Sequence, residues 1–180
     1  MRTRLLIPLG VAVAACTVAV TAGARGDRTA SSVEPRLPAL PPSNQLPSNR
    51  CPIPAKLRLA FTRAAADTGF QLSMLVAVAQ VESRLQPNAR SADDARGLLQ
   101  VLPSTGASLK LNVDVPATNV LAGARYLRQL LDRYARTDLA LAAYNAGPTR
   151  IDLEHDVLGP VSMRYVANVE SRWATLAGCT

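Results

Sequence analysis

From Pro52 onward the apolar positions recur at helical spacing. Leu57, Phe61, Ala64 and Ala65 follow Pro54, a good first helical residue, and Gly69 stops the run. A second helix is predicted over about 72–85. A third starts near Asn119, a residue type that caps helices, with Val120, Ala124, Leu127, Leu131 and Tyr134 on one stripe. Asp138 is expected to cap a short fourth helix over 139–145, which Gly147-Pro148 ends. Ser162 is expected to cap a fifth, with Met163, Val166, Val169 and Trp173 on one face. No alternating pattern of any length predicts a strand, and no repeat of about 20 to 50 residues is visible. The pattern predicts one mainly α globular domain over residues 51–180, with long loops at 86–98 and 146–161.

The N-terminal part follows other rules. Met1-Arg-Thr-Arg4 is basic, Leu5 to Ala24 is uncharged, and Ala22-Gly23-Ala24 is a small-residue cleavage pattern. Residues 1–24 therefore predict an export signal. The uncharged run is also long enough for an uncleaved membrane anchor, and Val13-Ala14-Ala15-Cys16 resembles a bacterial lipobox, so membrane attachment through the N-terminus stays open. Residues 25–50 hold Pro35, Pro38, Pro41, Pro42 and Pro47 among Ser, Asn and Arg, and predict a disordered, extended tether. The expected location is extracytoplasmic: secreted, cell-wall associated or membrane-anchored.

Composition narrows the chemistry. At 48% hydrophobic and 18% charged, the 180 residues suffice for one good core and are not those of a wholly disordered chain. The net charge of +7 is carried almost wholly by arginine, with Lys56 and Lys110 the only lysines. It suits either an anionic surface such as a cell wall or membrane, or an arginine-rich solvated surface. Three cysteines and one histidine would all be consumed by a single four-ligand zinc site, so no metal is expected. Cys51 and Cys179 bracket the domain. Outside the cytoplasm they are expected to pair, stabilising the fold by roughly 4–5 kcal/mol on the chain-entropy model.

One of the four glutamates is out of place. On a wheel of about 100° per residue, Glu82 falls between Val78 and Leu75, within about 20° of the latter. Ser73, Gln80 and Arg84 occupy the opposite, polar side. A carboxyl group on an apolar face loses hydration and its pKa rises, which is what a general acid at neutral pH needs. A buried Glu–Arg pair fits the same position. His155 lies in a loop beside Glu154 and Asp156 with no nucleophile motif, and reads as solvated, as does Glu170. Trp173 reads as core.

Four blocks now resemble a known family in its own order. Val81-Glu82-Ser83-Arg84-Leu85-Gln86-Pro87-Asn88-Ala89 resembles the Glu-Ser motif of soluble lytic transglycosylases, enzymes of the lysozyme superfamily that cut peptidoglycan. Ala95-Arg96-Gly97-Leu98-Leu99-Gln100-Val101 is similar to the Gly-Leu-Met-Gln segment, with Leu99 in place of Met. Asn119-Val120 with Ala122-Gly123-Ala124-Arg125-Tyr126-Leu127 resembles the central helix, and Ala143-Tyr144-Asn145-Ala146-Gly147-Pro148 the Ala-Tyr-Asn-Ala-Gly-Pro signature. The resemblance runs from about Leu57 to Trp173. Thr149 replaces a usual Gly, and Val161-Ser162-Met163-Arg164-Tyr165 keeps the tyrosine of a Glu-Thr-Arg-x-Tyr block while losing its Glu and Arg. Asp93-Asp94 stands where small residues are common.

The resemblance implies a lysozyme-like fold and a lytic transglycosylase acting on peptidoglycan glycan strands without a cofactor. Glu82 takes the acid/base role: it protonates the oxygen between N-acetylmuramic acid and N-acetylglucosamine, then takes the proton of the muramic 6-hydroxyl, which closes to a 1,6-anhydro sugar. Ser83, Gln100, Tyr144, Asn145 and Tyr165 are the implied substrate-binding or Glu82-supporting residues. The chain is expected to act as a monomer with no nucleic-acid partner. Two other functions fit the residues: a hydrolytic muramidase with Asp93 or Asp94 as base, and a glycan-binding module without activity.

Overall fold

The computed structural model describes residues 51–153 and 158–179. The export signal, Cys16 and the proline tether lie outside the described residues, as do Glu154, His155 and Asp156. Seven helices follow one another among the described residues: α1 (Ala55–Thr68), α2 (Leu72–Ser83), α3 (Pro103–Ser108), α4 (Pro116–Tyr134), α5 (Thr137–Ala146), α6 (Pro148–Leu153) and α7 (Pro160–Thr175). Those residues contain no strand, only isolated bridges pairing Arg96 with Arg90 and with Val101. The mainly α expectation holds.

Two helices are apolar all round and form the centre. In α2 every residue from Ser73 to Ala79 is buried, and in α5 every residue from Leu139 to Ala143. Around them pack α1 against α4, α4 against α5, and α7 against both α2 and α5. The predicted core residues Leu57, Phe61, Ala64, Val120, Ala124, Leu127, Val166 and Val169 are all buried. Such helices owe their stability to this packing more than to intrinsic propensity.

Several boundaries differ from the sequence reading. α2 ends at Ser83 because Arg84 and Leu85 take left-handed backbone angles, φ 54° and 61°. Their amides close onto the carbonyls of Gln80 and Ala79. α4 begins at Pro116, whose ring suits a first helical position, so Asn119 lies inside the helix and is not its cap. α3 and α6, each opened by a proline, were not anticipated. Ser73, expected on the solvent face, is buried where Trp173 Nε1 donates to its Oγ at 3.2 Å. Met163, expected on the packed face of α7, is exposed, while Tyr165 takes an inward place. α7 starts at Pro160, so Ser162 sits within its first turn, buried, and not at the cap.

Cys51 and Cys179 are joined by a disulfide with a Cα–Cα distance of 4.7 Å. It fastens the segment before α1 to the segment after α7, the two ends of the domain. Replacing both cysteines by alanine is expected to lower unfolding stability by about 4 kcal/mol, the cost of freeing so long a loop in the unfolded chain. Urea titration measures it, and a loss below about 1 kcal/mol would show that native packing alone closes the domain.

Candidate active site

Glu82 occupies the last turn of α2, directly beyond the fully buried stretch. Its sequence neighbour Ser83 is buried, while Glu82 itself is part-exposed. Tyr165 of α7 donates its hydroxyl to Glu82 Oε1 at 2.5 Å. Burial pushes the Glu82 carboxyl up to about 7, against a smaller downward pull from that hydrogen bond. Burial and the neighbouring Glu82 charge drive the Tyr165 hydroxyl well above the usual phenol range. Tyr165 therefore stays protonated and remains the donor. With Oε1 accepting, the acidic proton of Glu82 is left to Oε2.

Glu82 lines a cavity of about 270 Å³ together with Ser91, Asp93, Ala95, Gln100, Leu102, Tyr144 and Asn145. A second cavity of about 320 Å³ shares Asp93, Gln100, Leu102, Tyr144 and Asn145 with it and extends to Thr105, Tyr126 and Gly147. The two form one groove leading away from the carboxyl group. Tyr126 and Tyr144 contribute a tilted pair of rings, 5.5 Å between centroids. Asn145, at the end of α5, is exposed, and its side-chain amide has no hydrogen-bond partner among the described residues.

One wall of the groove is the segment 84–102, which belongs to no helix. Part of its backbone pairs within the segment, as between Arg96 and Val101 and from the Gly97 amide to the Ala89 carbonyl, and side chains from three helices add further partners. Ser83 Oγ of α2 lies 2.8 Å from the Leu98 carbonyl oxygen, and also 3.1 Å from that of Ala79. The wholly buried Asn119 of α4 accepts from the Leu99 amide at 2.9 Å and donates to the carbonyls of Arg96 (2.7 Å) and Val113 (2.9 Å). Tyr144 of α5 donates to the Leu99 carbonyl at 2.7 Å. Within the segment, Gln100 Nε2 donates to the carbonyls of Gly97 (2.9 Å) and Ala89 (3.2 Å). Close approach is enforced at two glycines. A Cβ on Gly97 would sit 2.5 Å from Asn119 Nδ2, and one on Gly123 2.5 Å from the Leu99 Cβ.

Gln100, Tyr144 and Asn145 thus meet Glu82 in one groove, and Tyr165 reaches it from behind. Ser83 lines neither cavity; its hydroxyl ties α2 to the loop. Asp94 is held by Arg96 at 2.8 Å and Arg90 at 3.1 Å, both of which lower its pKa, and it lines neither cavity. Asp93 is exposed and lines both. Sequence reasoning missed Asn119 and Tyr126 as site builders. Asn119 carried a readable signal: it precedes Ala122, Gly123 and Tyr126 at helical spacing, so a polar group sits on the inward stripe.

A model of the transglycosylase SLT domain matches residues 60–156. A transglycosylase of Enterobacteria phage PRD1 is 38% identical over 85 residues, covering 47% of this chain and 32% of its own. A membrane-bound lytic murein transglycosylase F 2 of Alkalilimnicola ehrlichii is 37% identical over 95 residues, covering 48% of this chain and 21% of its own. Among solved structures, an inactive mutant of the lytic transglycosylase Slt from Pseudomonas aeruginosa superposes with a TM-score of 0.60 and 28% identity, covering 69% of this chain and 24% of that one. The chain thus spans a third or less of the length of each of these proteins.

The geometry fixes how the site responds to pH and mutation. A carboxyl whose folded pKa lies above its unfolded value binds its proton more tightly when folded, so it costs stability once pH rises from 4.5 towards about 7. Glu82→Gln is therefore expected to be more stable than the parent by about 3 kcal/mol above pH 7 and equal to it near pH 4. Tyr165→Phe removes the donor that favours the carboxylate, and its Glu82 is expected to titrate above 7 in carbon-detected NMR; an unchanged midpoint would exclude the coupling. Asn119→Ala strands two carbonyls and an amide, and a loss of about 3 kcal/mol or more in thermal or urea unfolding is expected.

Proposed function

Because the chain belongs to the transglycosylase SLT domain family, we propose that it is an exported lytic transglycosylase. Its substrate on this reading is the bond between N-acetylmuramic acid and N-acetylglucosamine in peptidoglycan strands, and its products end in 1,6-anhydro-muramic acid. The observation that carries the reading is Glu82: a carboxyl group raised to about 7, in a groove, with a tyrosine hydroxyl on Oε1.

The chemistry follows from that arrangement. Near neutral pH a substantial fraction of Glu82 holds its proton, on the oxygen Tyr165 leaves unoccupied. That proton passes to the glycosidic oxygen as its bond to C1 breaks, and the N-acetylglucosamine side leaves as an alcohol. The resulting carboxylate is stabilised by the Tyr165 hydrogen bond and accepts the proton of the muramic 6-hydroxyl. The freed oxygen closes on C1. One bond forms, one breaks, Glu82 returns to its acid form, and no water is consumed. An internal hydroxyl is already positioned, so no second carboxylate is required to activate it.

Gln100, Tyr144 and Asn145 are assigned to holding the glycan in the groove, with Tyr126 beside them. Ser83 is assigned to holding the loop that forms its wall. Hydrolysis by water through Asp93 is the competing chemistry. The two carboxyl groups share a cavity, but Asp93 is exposed, and Asp94 is tied to arginines. Among the described residues no helix is long and apolar enough to cross a membrane. The Cys51–Cys179 disulfide supports the extracytoplasmic location, because such bonds persist where the surroundings are oxidising.

Residues 51–180 incubated with purified peptidoglycan are expected to release muropeptides with anhydro ends, lighter by one water than reducing ends in mass spectra. Glu82→Gln is expected to lower the rate by about 10³-fold or more, having lost both acid and base. Reducing ends in place of anhydro ends would make the chain a muramidase, and no release by folded protein would make it a binding module.

A further inference from the structure

Two adjacent aspartates end up in different surroundings. Residues 91–95 close into a tight turn. The Ser91 amide donates to the Ala95 carbonyl at 3.0 Å, the Asp94 amide to the Ser91 carbonyl at 3.2 Å, and the Ala95 amide to Ser91 Oγ at 3.0 Å. Asp94 takes a left-handed backbone angle, φ 62°. Arg96 grips its carboxylate through Nε at 3.2 Å and Nη2 at 2.8 Å, and reaches Asp114 at 2.7 Å. Asp93, in the middle of the turn, lines both cavities of the groove. It is the aspartate that the arginines leave alone. Asp67, Asp94, Asp114, Asp132, Asp138 and Asp152 are each ion-paired to an arginine, whereas Asp93 has no ion-pair partner among the described residues.

The groove around Asp93 is short of positive charge. Among the described residues no lysine or arginine lines either cavity, although the chain has 20 of them and a net charge of +7. Apart from Asp93 and Glu82, every lining residue is neutral. A carboxylate accepts hydrogen bonds and donates none. An N-acetylated sugar offers it hydroxyls and an amide N–H. The same sugar without its acetyl group offers an ammonium, and hydrogen bonds between ionised partners are roughly twice as strong as neutral ones. The bonds that close the turn, with the Arg96 clamp, hold this stretch of backbone before any sugar arrives, so little ordering is left to binding. Generic electrostatics runs the other way. A chain of net charge +7 repels a cationic strand, so a preference for the free amine has to come from a local carboxylate.

We propose that Asp93 is a specificity-determining residue of the groove: its carboxylate binds the ammonium of an amino sugar that lacks its acetyl group, so that the chain favours partly de-N-acetylated strands. The proposal rests on the lytic transglycosylase reading for its ligand, and its test is a binding measurement that needs no turnover. Fluorescently labelled soluble glycan strands, untreated or de-N-acetylated, are titrated with the Glu82→Gln protein. Removing acetyl groups also changes contacts elsewhere, so the quantity read is how the ratio of the two affinities responds to Asp93→Asn, a cycle in which those contacts cancel. Asp93→Asn is expected to weaken binding of the de-N-acetylated strands about fivefold more than that of the untreated ones. Strands re-acetylated with acetic anhydride are expected to behave as untreated ones. Asp132→Asn, the same change of charge on an exposed part of α4, is expected to leave the ratio unmoved.

A ratio unmoved by Asp93→Asn overturns the proposal. So does an equal loss of affinity for both kinds of strand, which would make Asp93 a binder of sugar hydroxyls. So does an equal response to Asp132→Asn, which would trace the preference to net charge. Binding of neither strand overturns the proposal together with the glycan reading. Failure of the activity reading shows separately, as absence of anhydro products from the protein with Glu82 intact. Asp93 is exposed, and its side chain takes no part in the hydrogen bonds that close the turn. Its replacement is therefore expected to leave the fold intact, which circular dichroism checks.

Discussion

The site depends on how a stretch of chain without helix or strand is kept in one shape. Residues 84–102 bring their own amides and carbonyls into a partly buried wall, and each such group needs a partner. Several pair within the segment, and three different helices add partners for Arg96, Leu98 and Leu99: Ser83 from α2, Asn119 from α4 and Tyr144 from α5. Asn119 alone uses both donor protons and its acceptor, all on backbone groups. The absence of a side chain at Gly97 and Gly123 lets these contacts form at all. The wall is therefore fixed by the same helices that carry the acid, so acid and wall are held in register.

That register matters to the proposed chemistry, which needs Glu82 to be badly solvated. Its carboxyl sits at the end of a helix whose preceding turns are buried on every side, and the resulting desolvation outweighs the one hydrogen bond it accepts. A second donor, or a basic residue within reach, would pull the pKa back to the ordinary carboxylate range and remove the acid. Tyr165 is the least disturbing partner available: neutral, itself buried, and unable to ionise beside a carboxylate. It orients the group without charging the site. The fold accepts lower stability at neutral pH in exchange for a proton that can be given away.

Much of this was legible in the sequence. The helical spacing of apolar residues gave α1, α2, α4, α5 and α7, and the wheel put Glu82 on the inward side of α2 before any resemblance was used. What was missed shares one cause: helix boundaries and polar buried contacts are decided by tertiary partners. Asn119 has the residue type of a cap, and Pro116 three positions earlier is the better guide to where α4 starts. The left-handed turn at Arg84-Leu85 carries no glycine and so no signal. Ser73 was placed in solvent because α2 is nearly uniform in hydropathy, and its contact with Trp173, distant in sequence, is not readable from the helix alone.

Ser83 marks the limit of motif reasoning. It stands directly after the acid and resembles a residue that touches substrate, yet its hydroxyl is buried against the Leu98 carbonyl. Gln100 is similar in part: its amide nitrogen is committed to Ala89 and Gly97, which leaves its carboxamide oxygen for a ligand. A short polar residue next to a catalytic group can be retained because it holds the wall, and such a role constrains size and hydrogen bonding as tightly as substrate contact does. On the proposed function, selectivity for the substrate comes from groups the fold leaves unengaged: in the groove, the Asn145 side chain, the Gln100 carboxamide oxygen, Tyr126 and Asp93.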